Sequence, residues 1–220
     1  TGKIHVDGGL VPLDLPYPPF SLWEFGAATH VDVPGDPTGA AVPPETDDEF
    51  TVKKSLTPEF FTVETLRRTS AGIVLVKRET TANGVKSSFT PRPSPTVYQF
   101  GVENGEWRSA GIDTDTSTSI LITGKILKRE VVDVCGTLVD TYQAQYTEEL
   151  VNLDTGEVSG TDPTATSLIS VAPQFGGLVI KEDMHLVSHV RDTKSGAPLT
   201  ISFTYVSTAS SIEPVPPGLL

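Results

Sequence analysis

The sequence predicts an all-β fold, a single twisted antiparallel meander that curves into a half-barrel with at most one or two short helices. Apolar and polar residues alternate along much of the chain, Asn-Gly pairs separate several alternating runs, and helical periodicity is rare. We expect one β domain over residues 1–212, which includes an acidic, Pro-rich loop at 34–48. A Pro-rich tail follows at 213–220.

The alternation is clearest near the C-terminus. In residues 199–206 the odd positions are apolar and the even positions mostly carry hydroxyls, as in a strand with one wet face. The preceding strand is expected to place a second apolar set on one side: Leu178, Ile180, Met184 and Leu186. Upstream, Asn83-Gly84 and Asn104-Gly105 favour hairpins, so the pattern predicts at least seven strands joined by short turns.

One segment, residues 57–68, carries competing signals. Thr57-Pro58-Glu59 suits the first turn of a helix. Phe61, Val63 and Thr65 alternate as they would in a strand, and β-branched residues are frequent there. The sequence leaves both possibilities open.

Charge and hydropathy exclude some partners. The 220 residues include 16 basic and 28 acidic side chains, which gives a formal charge of −12, and the basic residues are scattered. Nucleic acids and anionic membrane surfaces bind clustered Lys and Arg, so neither is an expected partner. No window approaches the roughly 18 consecutive apolar residues of a membrane helix. Because the chain begins with Thr1 and not with an initiator Met, we expect a segment upstream of Thr1 to have been removed.

Metal and cofactor sites are not predicted. His185 and His189 on one strand would be roughly 13 Å apart, too far to share a metal. Residues 113–119 look like a calcium loop but lack Gly at the sixth position and Glu at the twelfth. One weak calcium site stays open, if three side chains converge: Asp113, Asp115 and Asp162. The single cysteine, Cys135, is expected to be a small buried hydrophobe.

No catalytic residues are predicted either. The chain has no Gly-x-Ser-x-Gly elbow. Paired carboxylates such as Glu182-Asp183 point to opposite faces of a strand, so the two cannot act on one substrate. A hydrolase would need a site assembled from distant strands.

Three segments carry a family resemblance: residues 17–25 (YPPFSLWEF), 124–142, and 172–179 (APQFGGLV). They resemble, in turn, the "yfPl … W-x-Y" opening, the "G-x-E-x-V-x-V-x-x-G-x-f-x-A-x-x-V" strand pair and the "aPgiGlV" motif of bacterial envelope lipoproteins and domains of unknown function. The resemblance implies a curved, incompletely closed sheet, similar to that of periplasmic lipoprotein carriers and lipid-binding lipoproteins. It also implies an extracytoplasmic location, whether secreted, periplasmic or cell-wall associated. The chain departs from the family in having no lipidated Cys at its start.

Aromatic side chains are the candidate ligand site. If they line the concave face of the sheet, they form an apolar cavity, whereas the alternative is ordinary core packing. The candidates are Tyr98, Phe100, Trp107, Tyr142, Tyr146, Phe175, Phe203 and Tyr205. The leading hypothesis is a non-enzymatic extracytoplasmic bacterial protein that binds a lipid-like hydrophobic small molecule. The alternatives are an interaction module that docks an envelope protein through a sheet edge or the acidic loop and, third, a hydrolase.

Overall fold

The computed structural model describes residues 2–7, 13–16, 22–25, 49–57, 60–82, 84–100, 105–175, 177–191 and 195–209. The acidic loop 34–48 and the tail 213–220 lie outside the described residues, as does the side chain of Phe203.

Strands account for most of the described chain, and the all-β prediction is confirmed. The longest helix in the described part is a single 3₁₀ turn, Pro173–Phe175. The strands are β1 (Gly2–Asp7), β2 (Leu13–Pro16), β3 (Leu22–Phe25), β4 (Glu49–Thr57), β5 (Phe60–Arg68), β6 (Gly72–Ala82), β7 (Val85–Phe89), β8 (Thr96–Gln99), β9 (Glu106–Asp113), β10 (Thr118–Val134), β11 (Thr137–Asn152), β12 (Val158–Thr161), β13 (Leu168–Ala172), β14 (Leu178–Arg191) and β15 (Pro198–Thr208).

The described strands form two antiparallel sheets, where the sequence predicted one meander. The larger has the order β2-β1-β15-β14-β12-β11-β10-β9, with β13 also between β11 and β14. The smaller sheet has the order β3-β4-β5-β6-β7, and β8 also pairs with β6. The chain passes from the smaller to the larger sheet between β8 and β9. Between β7 and β8, Pro91, Pro93 and Pro95 lack the N–H groups that a continuous ladder needs.

β5 resolves the ambiguous segment as a strand. It pairs along its length with β4 on one side and β6 on the other. A helix there would leave the facing edges of both neighbours without partners, and unpaired backbone groups are costly inside a fold. Register shifts at Ser55/Thr57 and Thr65/Leu66 mark β-bulges, which bend the strands of this sheet.

The core lies between the two sheets. The smaller sheet contributes Val52, Leu66, Ile73 and Leu75, and the larger contributes Ile169, Val171, Ile180 and Met184, all buried in one hydrophobic cluster. Period-2 alternation supplies these residues, because every second side chain of a strand points to the same face.

Cys135 is exposed, so the prediction of a buried cysteine is wrong. The residue lies at the tip of the long β10–β11 hairpin with a φ of 49°, and Gly136 follows with a φ of 92°. Two consecutive positive φ angles define the tight two-residue turn typical of hairpins. The Gly136 N–H donates to Asp133 Oδ1 at 2.6 Å and closes the turn. A turn at the tip of a hairpin has no core beside it, so neither Cys135 nor Gly136 can be buried.

Candidate functional site

A cavity of about 160 Å³ lies between the two sheets. Strands of both sheets contribute to it, and its lining is mainly apolar. The smaller sheet provides Phe50, Val52, Leu66, Ile73, Val97 and Tyr98, and the larger provides Ile169, Leu178, Val179, Met184, Leu186 and Tyr205. Because protein interiors are otherwise closely packed, a void of this size is a distinct feature of the core.

Gly177 forms part of the cavity wall where the chain turns into β14. Its φ is +85°, a conformation that favours glycine, and its N–H donates to the Ala172 carbonyl at 3.1 Å. A Cβ at this position would lie 2.6 Å from Cγ1 of Ile73, so a side chain would collide with the opposite sheet. The turn before β14 thus lets the two sheets approach at the cavity.

A buried ion-pair cluster crosses from one sheet to the other beside the cavity. Arg78 Nε donates to Glu64 Oε1 at 2.9 Å within the smaller sheet. Its Nη1 and Nη2 donate to the two carboxylate oxygens of Glu148 on β11, at 2.6 and 2.9 Å. The three side chains are 18%, 11% and 14% exposed, respectively. Bidentate pairing of this kind fixes geometry as well as charge.

The ion pairs keep Arg78 charged and the neighbouring Tyr146 hydroxyl protonated. Burial alone would lower the pKa of Arg78, but Glu148 and Glu64 hold it well above its usual range. Burial, and then the charge of Glu148, raises the pKa of Tyr146 well above its usual value. Tyr146 therefore stays protonated, and its hydroxyl donates to Glu148 Oε2 at 3.1 Å.

Glu182 is a third buried acid at the cavity, in addition to Glu64 and Glu148. It is 4% exposed on β14, between the buried residues Ile180 and Met184. The Tyr205 hydroxyl donates to Glu182 Oε2 at 2.9 Å. The described lining therefore holds three carboxylates and one guanidinium.

These charged side chains were not among the candidates predicted from sequence. One signal was available: in the alternating run of β14, Glu182 falls on the same face as Leu178, Ile180 and Met184, and an acid on an apolar face requires a partner. No comparable signal points to Arg78, which is 70 residues from Glu148 in the chain.

The structure brings three of the predicted aromatic residues together at the cavity: Tyr98, Tyr146 and Tyr205. Phe100 and Trp107 are not in the lining but contact Tyr98 edge-on, with ring centroids 5.9 and 5.6 Å from it. Tyr142 and Phe175 pack against the core without lining the cavity. Phe203 lies outside the described side chains.

The histidines and aspartates considered as metal ligands have other contacts. His185 Nε2 lies 3.6 Å from Asp183 Oδ1, and His189 Nδ1 lies 3.2 Å from the Thr200 hydroxyl. Asp113 accepts backbone N–H groups of its own turn, and Asp162 accepts the backbone N–H and the hydroxyl of Thr164. Within the described ranges, His, Cys, Asp and Glu side chains form no group of three or more suited to a metal ion.

In the part of the chain that the structure describes, no helix has the length and apolar character needed to cross a bilayer. No protein-family model matches the chain, and no curated protein or solved structure matches it significantly. The relationship to envelope lipoproteins therefore stays a prediction from the three sequence segments.

Proposed function

We propose that the protein is a non-enzymatic binding protein, which holds a small hydrophobic molecule in the cavity between its two sheets. The observation that carries this proposal is the mainly apolar cavity of about 160 Å³ between the two sheets. Engineered apolar cavities of about 150 Å³ stay dry and bind benzene or xenon. An empty cavity destabilises a fold, and a ligand that fills it restores the lost contacts.

The volume of the cavity limits the size of the ligand. A space that matches a benzene-sized molecule holds one ring or a short alkyl group, and it has no room for a complete acyl chain. The expected lipid-like ligand is accordingly narrowed to a ring-sized molecule or to the small apolar end of a larger one.

Charge also limits the ligand. Three glutamates and one arginine in the lining disfavour an anion such as a fatty acid, because like charges repel strongly where water is excluded. A neutral or cationic ligand with a hydrogen-bond donor fits better, since carboxylates accept such bonds and charge-assisted bonds are the stronger ones. The ligand class is therefore a small apolar molecule with a donor at one end.

The proposal is tested with toluene, benzyl alcohol and benzoate as probes. Toluene and benzyl alcohol should raise the melting temperature, because a ligand at 100 times its Kd stabilises by about 2.7 kcal/mol. For a chain of this size that corresponds to several degrees, at roughly 2–4 °C per kcal/mol. Benzoate should have no effect. Two-dimensional NMR should locate the shifts in β5, β6, β13 and β14.

A matched pair of variants separates the cavity from the surface. Leu66→Phe adds bulk inside the cavity and should abolish the toluene effect, whereas Leu138→Phe, at a position that is 73% exposed, should preserve it. Equal toluene responses in both variants, or no response in the wild type, would contradict the proposal. Residence outside the cytoplasm is part of the same proposal and rests on the sequence resemblance alone.

A further inference from the structure

A second cavity, of about 320 Å³, opens between the sheets on the other side of Arg78. Arg78 borders both cavities, so the buried ion pairs lie between them. We refer to this space as the hydroxyl cleft. Its lining includes neutral hydrogen-bonding side chains from both sheets: Thr80, Ser87, Ser88, Thr116, Thr118, Asn152, Ser159 and Ser188.

The strand registers explain why the lining is polar. On β6, Arg78 and Thr80 share a face, and their partners on β7 are Phe89 and Ser87. On the opposite sheet, Ser159 of β12 pairs with Leu150 of β11 and with Ser188 of β14. The facing positions of two packed sheets are ordinarily apolar. Beyond Arg78 these sheets instead present hydroxyls to each other, so this end of the interior is polar.

Several of these hydroxyls retain full hydrogen-bonding capacity. In the described part of the chain, the side chains of Ser87, Ser88, Ser159 and Ser188 form no hydrogen bond with another residue. Each hydroxyl can donate one bond and accept two. Ser87 on the smaller sheet and the paired residues Ser159 and Ser188 on the larger sheet therefore offer donors and acceptors from both sides of one space. Ser88 follows Ser87 on β7 and points to the opposite face of that strand.

We propose that the hydroxyl cleft binds a neutral polyhydroxylated ligand, such as a small saccharide or polyol. Sugar hydroxyls need the paired donors and acceptors that serine and threonine provide. Phe89 and Val190 add apolar surface for the C–H groups of a sugar ring. The volume is at the lower end of the range of about 300–1,000 Å³ typical of small-molecule pockets.

Charge argues against a phosphate or carboxylate ligand. Arg78 is held by Glu64 and Glu148, and Glu157 adds a negative charge to the lining. His189 lies at the exposed side of the cleft and contacts Thr200. The described lining thus lacks the clustered cations with which proteins bind anions.

NMR titration with glucose, maltose, sorbitol and glucose 6-phosphate tests the proposal. At concentrations that saturate millimolar binding, at least one neutral probe should shift the backbone amides of β7, β12 and the adjoining part of β14. Glucose 6-phosphate should bind more weakly than glucose. Tighter binding of glucose 6-phosphate than of glucose would overturn the proposal, as would the absence of shifts with every neutral probe.

The double variant Ser159→Ala, Ser188→Ala removes two neighbouring hydroxyls of the larger sheet with little change in packing. It should weaken binding about tenfold, because up to two hydrogen bonds to the ligand are lost. Ser202→Ala with Thr204→Ala, on β15 outside the cleft, is the control and should bind as the wild type does. Unchanged binding in the first variant would overturn the assignment to the cleft. Toluene binding reports on the other cavity, so failure of either proposal is visible separately.

Discussion

Arg78 contacts both sheets through its guanidinium group. It pairs with Glu64 across the β5–β6 ladder and with Glu148 on β11. Moving an arginine and two carboxylates out of water costs several kcal/mol per ion, and close, bidentate pairing offsets that cost. Each member of the cluster therefore depends on the others, and removal of one leaves buried charge without compensation.

Replacement of Arg78 by Met should destabilise the fold by about 3–5 kcal/mol, because Glu64 and Glu148 would be left buried without a cation. Urea unfolding monitored by tryptophan fluorescence measures the change. Arg67→Met is the control: Arg67 pairs with Glu49 at the surface, 2.7 Å away, and exposed pairs contribute about 0–1 kcal/mol. If the free energy of unfolding falls by a similar amount in the two variants, the buried Arg78 cluster stabilises the fold no more than a surface ion pair does.

Asp113 makes stability depend on acid pH. Burial alone would raise the pKa of Asp113, but the N–H groups of Thr90, Asp115 and Thr116 hold it below its usual value. A carboxyl with a depressed pKa stabilises the fold above its unfolded pKa of about 3.9, and that contribution is lost as the pH falls further.

Asp113→Asn should therefore cost about 1–3 kcal/mol at neutral pH, since an amide NH₂ would face a backbone N–H that the carboxylate now accepts. The stability difference between the variant and the wild type should shrink below about pH 4, where the wild type also loses its charge. Urea midpoints from pH 7 to pH 3 measure it. A difference that stays constant with pH would contradict the assigned role of the Asp113 charge.

The site residues show what can be derived from the sequence alone. Tyr98, Tyr146 and Tyr205 are aromatic residues in alternating runs, so their inward direction was predictable. Glu182 could have been found from the same alternation. The meeting of Arg78 with Glu148 could not, because local periodicity carries no information on which strands of two sheets face each other.

At the scale of elements, the β10–β11 hairpin shows how a glycine can shape packing inside a strand. Gly124 of β10 lies directly opposite Trp107 of β9 in the register. The Trp107 ring occupies the space where a Cβ of residue 124 would be. Trp107 is 4% exposed and also contacts Tyr98 edge-on. This pairing links the edge of the larger sheet to β8.

Gly124→Ala should displace the Trp107 ring and destabilise the protein by about 1–3 kcal/mol, as overpacking does elsewhere. Tryptophan fluorescence should shift to longer wavelength as the ring gains solvent contact. Lys125→Ala, the neighbouring exposed position, should change stability by no more than about 0.5 kcal/mol. An unchanged emission spectrum in the glycine variant would show that the contact is not tight.

The Cys135-Gly136 turn gives a second prediction at this scale. Asn tolerates positive φ better than Cys, and Asn-Gly is the preferred pair for this type of turn. Cys135→Asn should raise the free energy of unfolding, whereas β-branched Cys135→Val should lower it. Thermal unfolding of the two variants measures both changes, and a reversed order would contradict the assigned turn geometry.

The elements themselves were largely predictable. Alternation predicted β14 and β15 together with the apolar face of β14, and the Asn-Gly signal correctly predicted a turn at Gly84, between β6 and β7. β5 remained ambiguous because strand and helix signals overlap over nine residues, and only its pairing with β4 and β6 decides between them. Cys135 was misjudged because its environment was inferred from residue type, while the turn geometry determines its exposure.

At the scale of the whole molecule, the interior consists of an apolar cavity and a polar cleft, with Arg78 between them. The all-β class and antiparallel pairing follow from sequence periodicity. The division into two sheets does not, because it depends on pairings such as β1 with β15, whose residues are far apart in the chain. Both cavities arise from that division, since each is bounded by strands of the two sheets.

Crystallography under xenon pressure tests the central claim most directly, because xenon enters apolar cavities of this size and scatters strongly. We expect a xenon site between the sheets, in contact with Leu66, Ile73 and Ile169, and no site in the hydroxyl cleft. A pressurised crystal with no xenon among these three side chains, or with side chains filling the space, would contradict it.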